Sequence, residues 1–431
     1  MTGWPLIITF IVAIVAMIYM ISKLKIHAFL SLMIVSLAFG LLAGIPLVDT
    51  TVAGKTTPGI ATVIGAGFSG TFTSIGIVII LGALIGNLLE STGAAIKLAD
   101  TVVKIVGQKR PVLAIQIMGW IVSIPVFCDS GFVILNPIRR AMVQRTLASS
   151  VAMTVALSTG LYAAHVFIPP TPGPIAAAGA LGLANNLLLV MGLGALISVP
   201  ALIGAYFYAV YIGGKEKASD EADRAGVVKS YEELVAAYGE LPSAFMSFAP
   251  IVAPILLMAL GSIAAMAKAT GVFADLLKFL GTPIIALGVG TLFGFLQIQK
   301  AKMTDKFHEI TNESLKVVGP ILFITAAGGV LGRVIAVSDI VPFIKANVST
   351  MQVMGIFFPF ALSAILKTAQ GSSTVALITT AAILNPLMAT LGLDSEFARA
   401  LTVMAIAAGA MTVSHANDSY FWVVTNFGGM T

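Results

Sequence analysis

Residues 125–132 read "PVFCDSGF" (Pro125-Val126-Phe127-Cys128-Asp129-Ser130-Gly131-Phe132), between "VLAIQIMGWIVSI" (112–124) and "VILNPI" (133–138). A carboxylate, a hydroxyl and a glycine have nothing to offer a lipid-facing helix, because ionisable groups at membrane depth turn toward protein or water. The apolar arms on either side, 10 to 17 residues long, fall short of the roughly 20 that carry a helix across a bilayer. Basic residues stand at both ends of 111–145, with Lys109 and Arg110 before it and Arg139, Arg140 and Arg145 at its close. Lengths and charges together predict a re-entrant hairpin that enters and leaves on one side, with the polar cluster at its midpoint.

The surrounding chain is of the same kind. Of 431 residues, 58% are hydrophobic and only 10% charged, whereas soluble domains carry about a quarter charged residues. At least nine apolar runs are long enough to span a bilayer. The first, "WPLIITFIVAIVAMIYMIS", is followed rather than preceded by its lysines (Lys23, Lys25) and lacks a small-residue cleavage site, so it reads as a retained helix. The net charge of +5 collects in short loops: Lys23 and Lys25; Lys97, Lys104, Lys109 and Arg110; Arg139, Arg140 and Arg145; Lys300, Lys302 and Lys306. That is the positive-inside pattern of cytoplasmic loops, not a nucleic-acid surface. One cysteine, Cys128, excludes an intrachain disulfide.

With those loops on the cytoplasmic side, span one (about 4–22) runs inward and span two (about 28–47) outward. A Gly/Thr-rich stretch, "TTPGIATVIGAGFSGTFTSIG", leads into an inward span three (about 75–92), and an amphipathic connector leads to the hairpin at 111–145. Residues 148–182 cross outward, broken by "HVFIPPTPGP", and 185–212 return. A polar cytoplasmic linker, 213–243, divides the chain. Beyond it the order recurs over 244–431: spans near 244–267, 283–298 and 317–336, a second hairpin (351–390) interrupted by "KTAQGSS", and a second broken helix (395–422) interrupted by "SHANDS". "GALIGNLL" (Gly82 to Leu89) aligns with "GGVLGRVI" (Gly328 to Ile335) at an offset of 246, and near that offset "CDSG" meets "AQGSS" and His165 meets His415. Counting crossings inverts the second half, so its hairpin opens to the outside. The expected fold is an all-α polytopic membrane protein with an inverted-topology repeat, two re-entrant helical hairpins and two discontinuous helices. Since 1–212 ends in a full span and 244–431 does not, one more helix is expected beyond Thr431.

Paired interrupted segments in corresponding halves point to a transporter's central site. Broken helices survive at membrane depth only inside protein or beside a water-filled cavity, and each break exposes a helix N-terminus with free N–H groups and partial positive charge. The expected substrate ligands are Asp129, Ser130 and Gly131 of the first hairpin, Gln370, Gly371, Ser372 and Ser373 of the second, and Thr171 and Asn417 of the broken helices. Asp129 reads as a cap for the helix after it and as a protonatable group. His165, at a break with a mate at His415, and Asp418 join it as proton-coupling candidates. Lys367 reads as snorkelling to water or, inside the protein, as a further coupling candidate. Arg333 reads as snorkelling, and His27 and His308 as loop residues without a role. The function expected is secondary active transport of a small anion, bound between the hairpin tips.

Two patterns are set aside. "VIGAGFSG" (Val63 to Gly70) satisfies G-x-G-x-x-G with Glu90 twenty residues on, but no alternation of strands and helices follows, as a dinucleotide fold requires. "GLLAG", "GALIG" and "GTLFG" fit small-xxx-small helix packing. No G-x-S-x-G, H-E-x-x-H, C-x-x-C or P-loop occurs, so no metal or cofactor is expected, only an ion gradient. A membrane-embedded enzyme would need a nucleophile and base, and only Cys128 beside Asp129 comes near. Sodium is the alternative coupling ion, because carbonyls at unwound tips can hold it.

At "VFCDSGFVILNPIRRA", "HVFIPPTPGP", "KTAQGSSTVALIT" and "SHANDSYFW" the chain resembles, nearly end to end, the gluconate permease family of bacterial proton symporters. The resemblance implies a multi-pass inner-membrane carrier, a substrate class of gluconate-like sugar acids and related hydroxy acids, import with protons, and a homodimer in the lipid bilayer. It also implies a place among transporters with paired re-entrant hairpins, many of which look like elevators, and a further C-terminal helix. Cys128-Asp129-Ser130 stands where gluconate carriers tend to have an aromatic, an acid and a small apolar residue, and Thr171 where they tend to have histidine.

Overall fold

A computed structural model of the chain describes residues 3–52, 55–106, 110–146, 148–218, 240–347, 354–415 and 418–430. Seven of its helices are long and apolar enough to cross a membrane. In chain order the α-helices are α1 (Trp4–Ser22), α2 (Ala28–Leu42), α3 (Ile60–Thr71), α4 (Ile77–Ser91), α5 (Ala94–Val106), α6 (Pro111–Val122), α7 (Cys128–Thr146), α8 (Ser150–Phe167), α9 (Pro172–Ala180) and α10 (Leu187–Gly213). After the linker come α11 (Ala244–Met266), α12 (Val272–Leu280), α13 (Pro283–Lys300), α14 (Phe307–Val337), α15 (Ile340–Asn347), α16 (Phe357–Gln370), α17 (Ser373–Leu384), α18 (Glu396–Ala410) and α19 (Ser419–Phe427). Most of the linker lies outside the described residues.

The chain divides into two compact units. Unit 1 comprises Met1–Ile79, Pro172–Val190 and Val317–His415, and unit 2 comprises Ile80–Thr171, Met191–Lys316 and Ala416–Thr431. Each has the same ingredients: a helix pair from one half of the chain, the first piece of the broken helix that follows it, and the second piece of the other half's broken helix. In unit 2 these are α6–α7, α8 and α19; in unit 1 they are α16–α17, α18 and α9.

Unit 2 is built around α8, which is buried on nearly every side. It crosses α6 at two glycines. A methyl group on Gly160 would come 2.2 Å from the Gln116 carbonyl oxygen, and one on Gly119 would come 2.8 Å from that of Leu157. The helices therefore meet backbone to backbone, the close approach that small residues permit where lipid supplies no hydrophobic drive. In unit 1, α17 packs on α9 and α18, and α16 packs on α18 and α1. Ile8, Ile11, Val12 and Val15 of α1 are more than half exposed, as suits a helix turned to lipid.

Three expected boundaries shift. Span three starts not near 75 but at Ile60, because the Gly/Thr-rich stretch is itself helical: α3 runs through a π-helical turn, Phe72–Gly76, into α4. Hydroxyls sustain it, Thr71 donating to the Gly67 carbonyl (3.1 Å) and Thr73 to that of Ser69 (2.9 Å). The glycines of "VIGAGFSG" thus lie in a helix, with Gly67 against the backbone of Gly329 and Val330, and they cradle no phosphate. The helix expected at 317–336 begins ten residues earlier, at Phe307. Span two ends as helix at Leu42 and gives way to an antiparallel ribbon, β1 (Thr50–Val52) with β2 (Lys55–Thr57).

The ribbon is anchored by Asp49, whose Oδ1 accepts from the Gly59 amide (2.6 Å) and the Thr62 hydroxyl (2.8 Å) at the start of α3. Those bonds, the amide first, hold its carboxyl below the usual carboxylate range. A depressed folded-state value means the contribution is present above the ordinary carboxylate pKa and is lost as pH falls through the lowered one. Protection of the Gly59 amide, its exchange relative to the intrinsic rate at each pH, should therefore fall on acidification below about pH 4, and Asp49→Ala should show the reduced protection at neutral pH as well. At the α6–α8 crossing, Gly160→Val should cost about 1–3 kcal/mol through overpacking. It should lower the melting temperature of the purified protein, while Gly192→Val, at a glycine with open space around it, should not.

Candidate functional site

In unit 2 the "PVFCDSGF" stretch forms the link between α6 and α7 and the first turn of α7. Ser123 donates to the Val126 carbonyl (2.9 Å) and closes the link, while Gly86 of α4 lies against the Pro125 carbonyl. Asp129 sits within the first turn of α7, not ahead of it as a cap. Its Oδ1 accepts from the Ser419 hydroxyl (3.4 Å) and its Oδ2 from the Cys128 thiol (3.7 Å). The next hydroxyl, Ser130, donates to the carboxylate of Glu90, at the end of α4. Gly131 serves packing, since a methyl group there would come 2.8 Å from Leu161 of α8.

The second carboxylate arrives on α19. Asp418 is that helix's N-cap, its Oδ1 accepting from the Tyr420 amide (3.1 Å). Ser419 reaches Asp129 at one end, and Asn136 donates to the Phe427 carbonyl (3.1 Å) at the other, so α7 and α19 run side by side in one direction. Their N-termini open at the same level, each carrying an aspartate, and the two carboxylates interact electrostatically. Tyr420 fixes the arrangement. Its hydroxyl donates to the Ser158 carbonyl (2.9 Å), and its ring stacks on Tyr162 at 5.3 Å between centroids. The His165 ring lies 5.8 Å from that of Phe127, the residue before Cys128. Five of the expected site residues, Asp129, Ser130, Gly131, His165 and Asp418, are therefore in or beside one cluster. Asn417 lies outside the described residues.

Thr171 is committed elsewhere. Its buried hydroxyl donates to the carbonyls of His165 (2.9 Å) and Ile168 (2.8 Å), the peptide groups freed where α8 stops. Arg139, placed by its charge among the loop cations, is instead fully buried in α7, donating to Asn136 Oδ1 (2.7 Å) and the Ser150 hydroxyl (2.6 Å). Glu90, Ser419, Tyr420 and Arg139 are the members that sequence reading missed. "NPIRR" and "NDSYF" held three of them in plain view, but Glu90 is distant in the chain and only folding brings it in.

In unit 1 the turn between α16 and α17 gathers Lys367, Gln370, Gly371, Ser372 and Ser373. Gly371 takes the left-handed conformation (φ 86°), which glycine adopts without strain, and closes α16. Ser372 caps α17, accepting from the Val375 amide (3.3 Å). Lys367 does not snorkel: it is fully buried and donates to the Gly371 carbonyl. His415 bonds the Thr368 carbonyl through a ring nitrogen (3.1 Å). The Gln370 side-chain nitrogen is buried and has no hydrogen-bond partner among the described residues.

Apolar spans, helices interrupted within the protein, and charged groups gathered at the interruptions define a polytopic membrane transporter. The chain belongs to the GntP family permeases, whose family model matches residues 4–431. A Haemophilus influenzae protein described as an uncharacterized permease is 33% identical over 449 residues, covering 100% of this chain and 87% of its own. The low-affinity gluconate transporter of Escherichia coli is 29% identical over 437 residues, covering 100% of this chain and 93% of its own. In fold, the chain resembles the crystal structure of the Alcanivorax borkumensis YdaH transporter, described as having an unusual topology: TM-score 0.61, 15% identity, with 93% of this chain and 90% of that one covered. Seven apolar spans and permease relatives make this a multi-pass inner-membrane protein, and a permease rather than an enzyme.

If the Thr171 hydroxyl works for the backbone, Thr171→Val should cost about 1–3 kcal/mol by leaving two carbonyls unpaired. Thr171→Ser should keep wild-type stability. Thermal melting of the two variants reads the difference.

Proposed function

We propose that this permease imports a small hydroxy-carboxylate, of the gluconate-like sugar-acid class, together with protons. The observation that carries the reading is the pair of aspartates, Asp129 and Asp418, set at the N-termini of two helices that start at the same level. A helix N-terminus attracts an anion, but here each already holds a carboxylate. A substrate anion about 5 Å from one ionised aspartate would meet repulsion of about 3 kcal/mol at an effective dielectric of 20. Protonating that aspartate removes the repulsion and leaves the helix N-termini to attract the anion. Binding of proton and substrate then favour each other, which is the thermodynamic core of symport.

Asp129 is the principal proton carrier in this reading, with Asp418 its electrostatic partner and His165 and Glu90 beside it. Substrate hydroxyls donate to the aspartates, and Ser130 supplies a further polar contact. Within unit 1, the start of α17 offers a carboxylate donors of its own, the Ser372–Ser373 turn and the Gln370 amide, whose nitrogen has no hydrogen-bond partner among the described residues. Lys367 keeps that turn positive. This assignment of the second turn draws on the repeat symmetry of the sequence, and the substrate class draws on the gluconate transporters among the relatives.

Affinity for a sugar acid such as gluconate should rise as pH falls, with a slope of about one in log affinity per pH unit for each linked proton. In Asp129→Asn that slope should drop by about one, and uptake into proteoliposomes should no longer follow an imposed pH gradient. Wild-type slope and pH-driven uptake in the variant would remove Asp129 from the coupling. Uptake driven by a sodium jump at fixed pH would replace the proton with sodium.

A further inference from the structure

Unit 2 carries a second binding feature, distant in composition from the acidic cluster. A groove of about 520 Å³ lies between α6 and α10, walled by Leu113, Ile117, Val199, Ile203 and Phe207, with Arg110 among its lining residues. Its size is that of a small-molecule site. Ile203 and Phe207 are 53% and 67% exposed, so the groove is open along α10.

The N–H donors of Trp120 and Gln116 in its floor are already committed. Trp120 Nε1 donates to the Ser198 hydroxyl (3.0 Å), and the Gln116 amide donates to the Leu202 carbonyl (3.0 Å). What the floor offers an occupant is therefore hydrocarbon. These two bonds also fit a single antiparallel register, which carries Arg110, the residue before α6, to the level of Tyr206–Tyr208 on α10. From Arg110 to Trp120 the helix rises about 15 Å. The groove is thus an apolar trough with a guanidinium and a tyrosine belt at one end only. Beyond that end, Lys215 lies over the Tyr211 ring at 4.4 Å and donates to its hydroxyl (2.5 Å). Arginine and tyrosine at one level, with lysine about two turns further out, are the markings of a membrane–water boundary, and the basic loops put this one on the cytoplasmic side.

We propose that the groove binds an anionic phospholipid of the cytoplasmic leaflet, with an acyl chain along Leu113, Ile117, Val199 and Ile203 and the phosphate on Arg110. Charge selects this occupant. An apolar helix of a second copy would fill the trough but would leave the guanidinium facing hydrocarbon. A zwitterionic lipid brings a cation of its own toward Arg110 and Lys215. An anionic lipid satisfies both ends.

Trp120 is a built-in reporter, since its ring lines the groove and its N–H is fixed on Ser198. The chain has 3 tryptophans, so Trp4→Phe with Trp422→Phe leaves Trp120 alone. That protein is placed in vesicles doped with brominated phosphatidylglycerol or with brominated phosphatidylcholine, and Trp120 quenching is followed. Phosphatidylglycerol should quench at about fivefold lower mole fraction, the preference one basic side chain near the surface provides. Arg110→Gln should erase the preference and leave quenching by both lipids. Equal quenching by the two lipids in the parent protein overturns the headgroup selection. No quenching by either, together with cross-linking between copies through Ile203→Cys, assigns the groove to a second copy. Should the tryptophan variants not fold, mass spectrometry of lipid retained by the purified full chain gives the same answer. Phosphatidylglycerol should be retained by wild type and depleted in Arg110→Gln, and equal retention overturns the proposal.

Discussion

A helix interrupted inside hydrocarbon must find partners for every peptide group it releases, and this requirement organises the whole chain. Each interruption has a side chain assigned to it. Ser123 closes the α6–α7 link, Thr171 takes two carbonyls where α8 ends, Ser372 caps α17, and Asp418 caps α19. Lys367 covers the Gly371 carbonyl. Much of the polarity in the apolar runs is therefore spent on the backbone. What remains after that accounting, Asp129, Ser130, Glu90 and the Gln370 amide, is where binding chemistry has room to occur.

The same requirement explains what the sequence disclosed and what it hid. Polar clusters in apolar runs are expensive, so they stand out, and all four interruptions were legible from "PVFCDSGF", "HVFIPPTPGP", "KTAQGSS" and "SHANDS" alone. Which member of a cluster serves the backbone was not legible, because Thr171 and Asp418 are chemically suited to a substrate and to a cap alike. Charge misled at Arg139, which reads as a loop cation, and left Lys367 open between water and the protein interior; both are inside the protein, where Asn136, Ser150 and the Gly371 carbonyl receive them. The helical start of α3 was hidden by its glycines and threonines. In water these residues favour turns, but at membrane depth threonine hydroxyls return bonds to the helix carbonyls.

The two helix pairs share a plan and differ in charge. In the first the tip residues are Cys128, Asp129 and Ser130, with Glu90 and Asp418 drawn in beside them. In the second they are Gln370, Gly371, Ser372 and Ser373, with Lys367 and His415 bonded to the turn. Duplication alone would have made the tips alike. Their divergence sets carboxylates beside the first turn and a lysine beside the second, which is what the proposed division between proton and anion draws on.

Helix dipoles give that separation a mechanism. At the second turn, the negative end of α16 and the positive end of α17 lie close together and would nearly cancel. Lys367 sits on the negative end and donates to the Gly371 carbonyl there, which offsets the C-terminal partial charge of α16. At the first turn the sign depends on Asp129. Ionised, it offsets the positive N-terminus of α7 in which it stands. Protonated, it would uncover that N-terminus, while Asp418 still caps the start of α19. In the proposed reading, protonating Asp129 turns the first turn from indifferent to attractive toward a carboxylate. Coupling of the kind proposed would need no direct contact between proton and substrate, only a carboxylate in the first turn of a helix that begins at membrane depth.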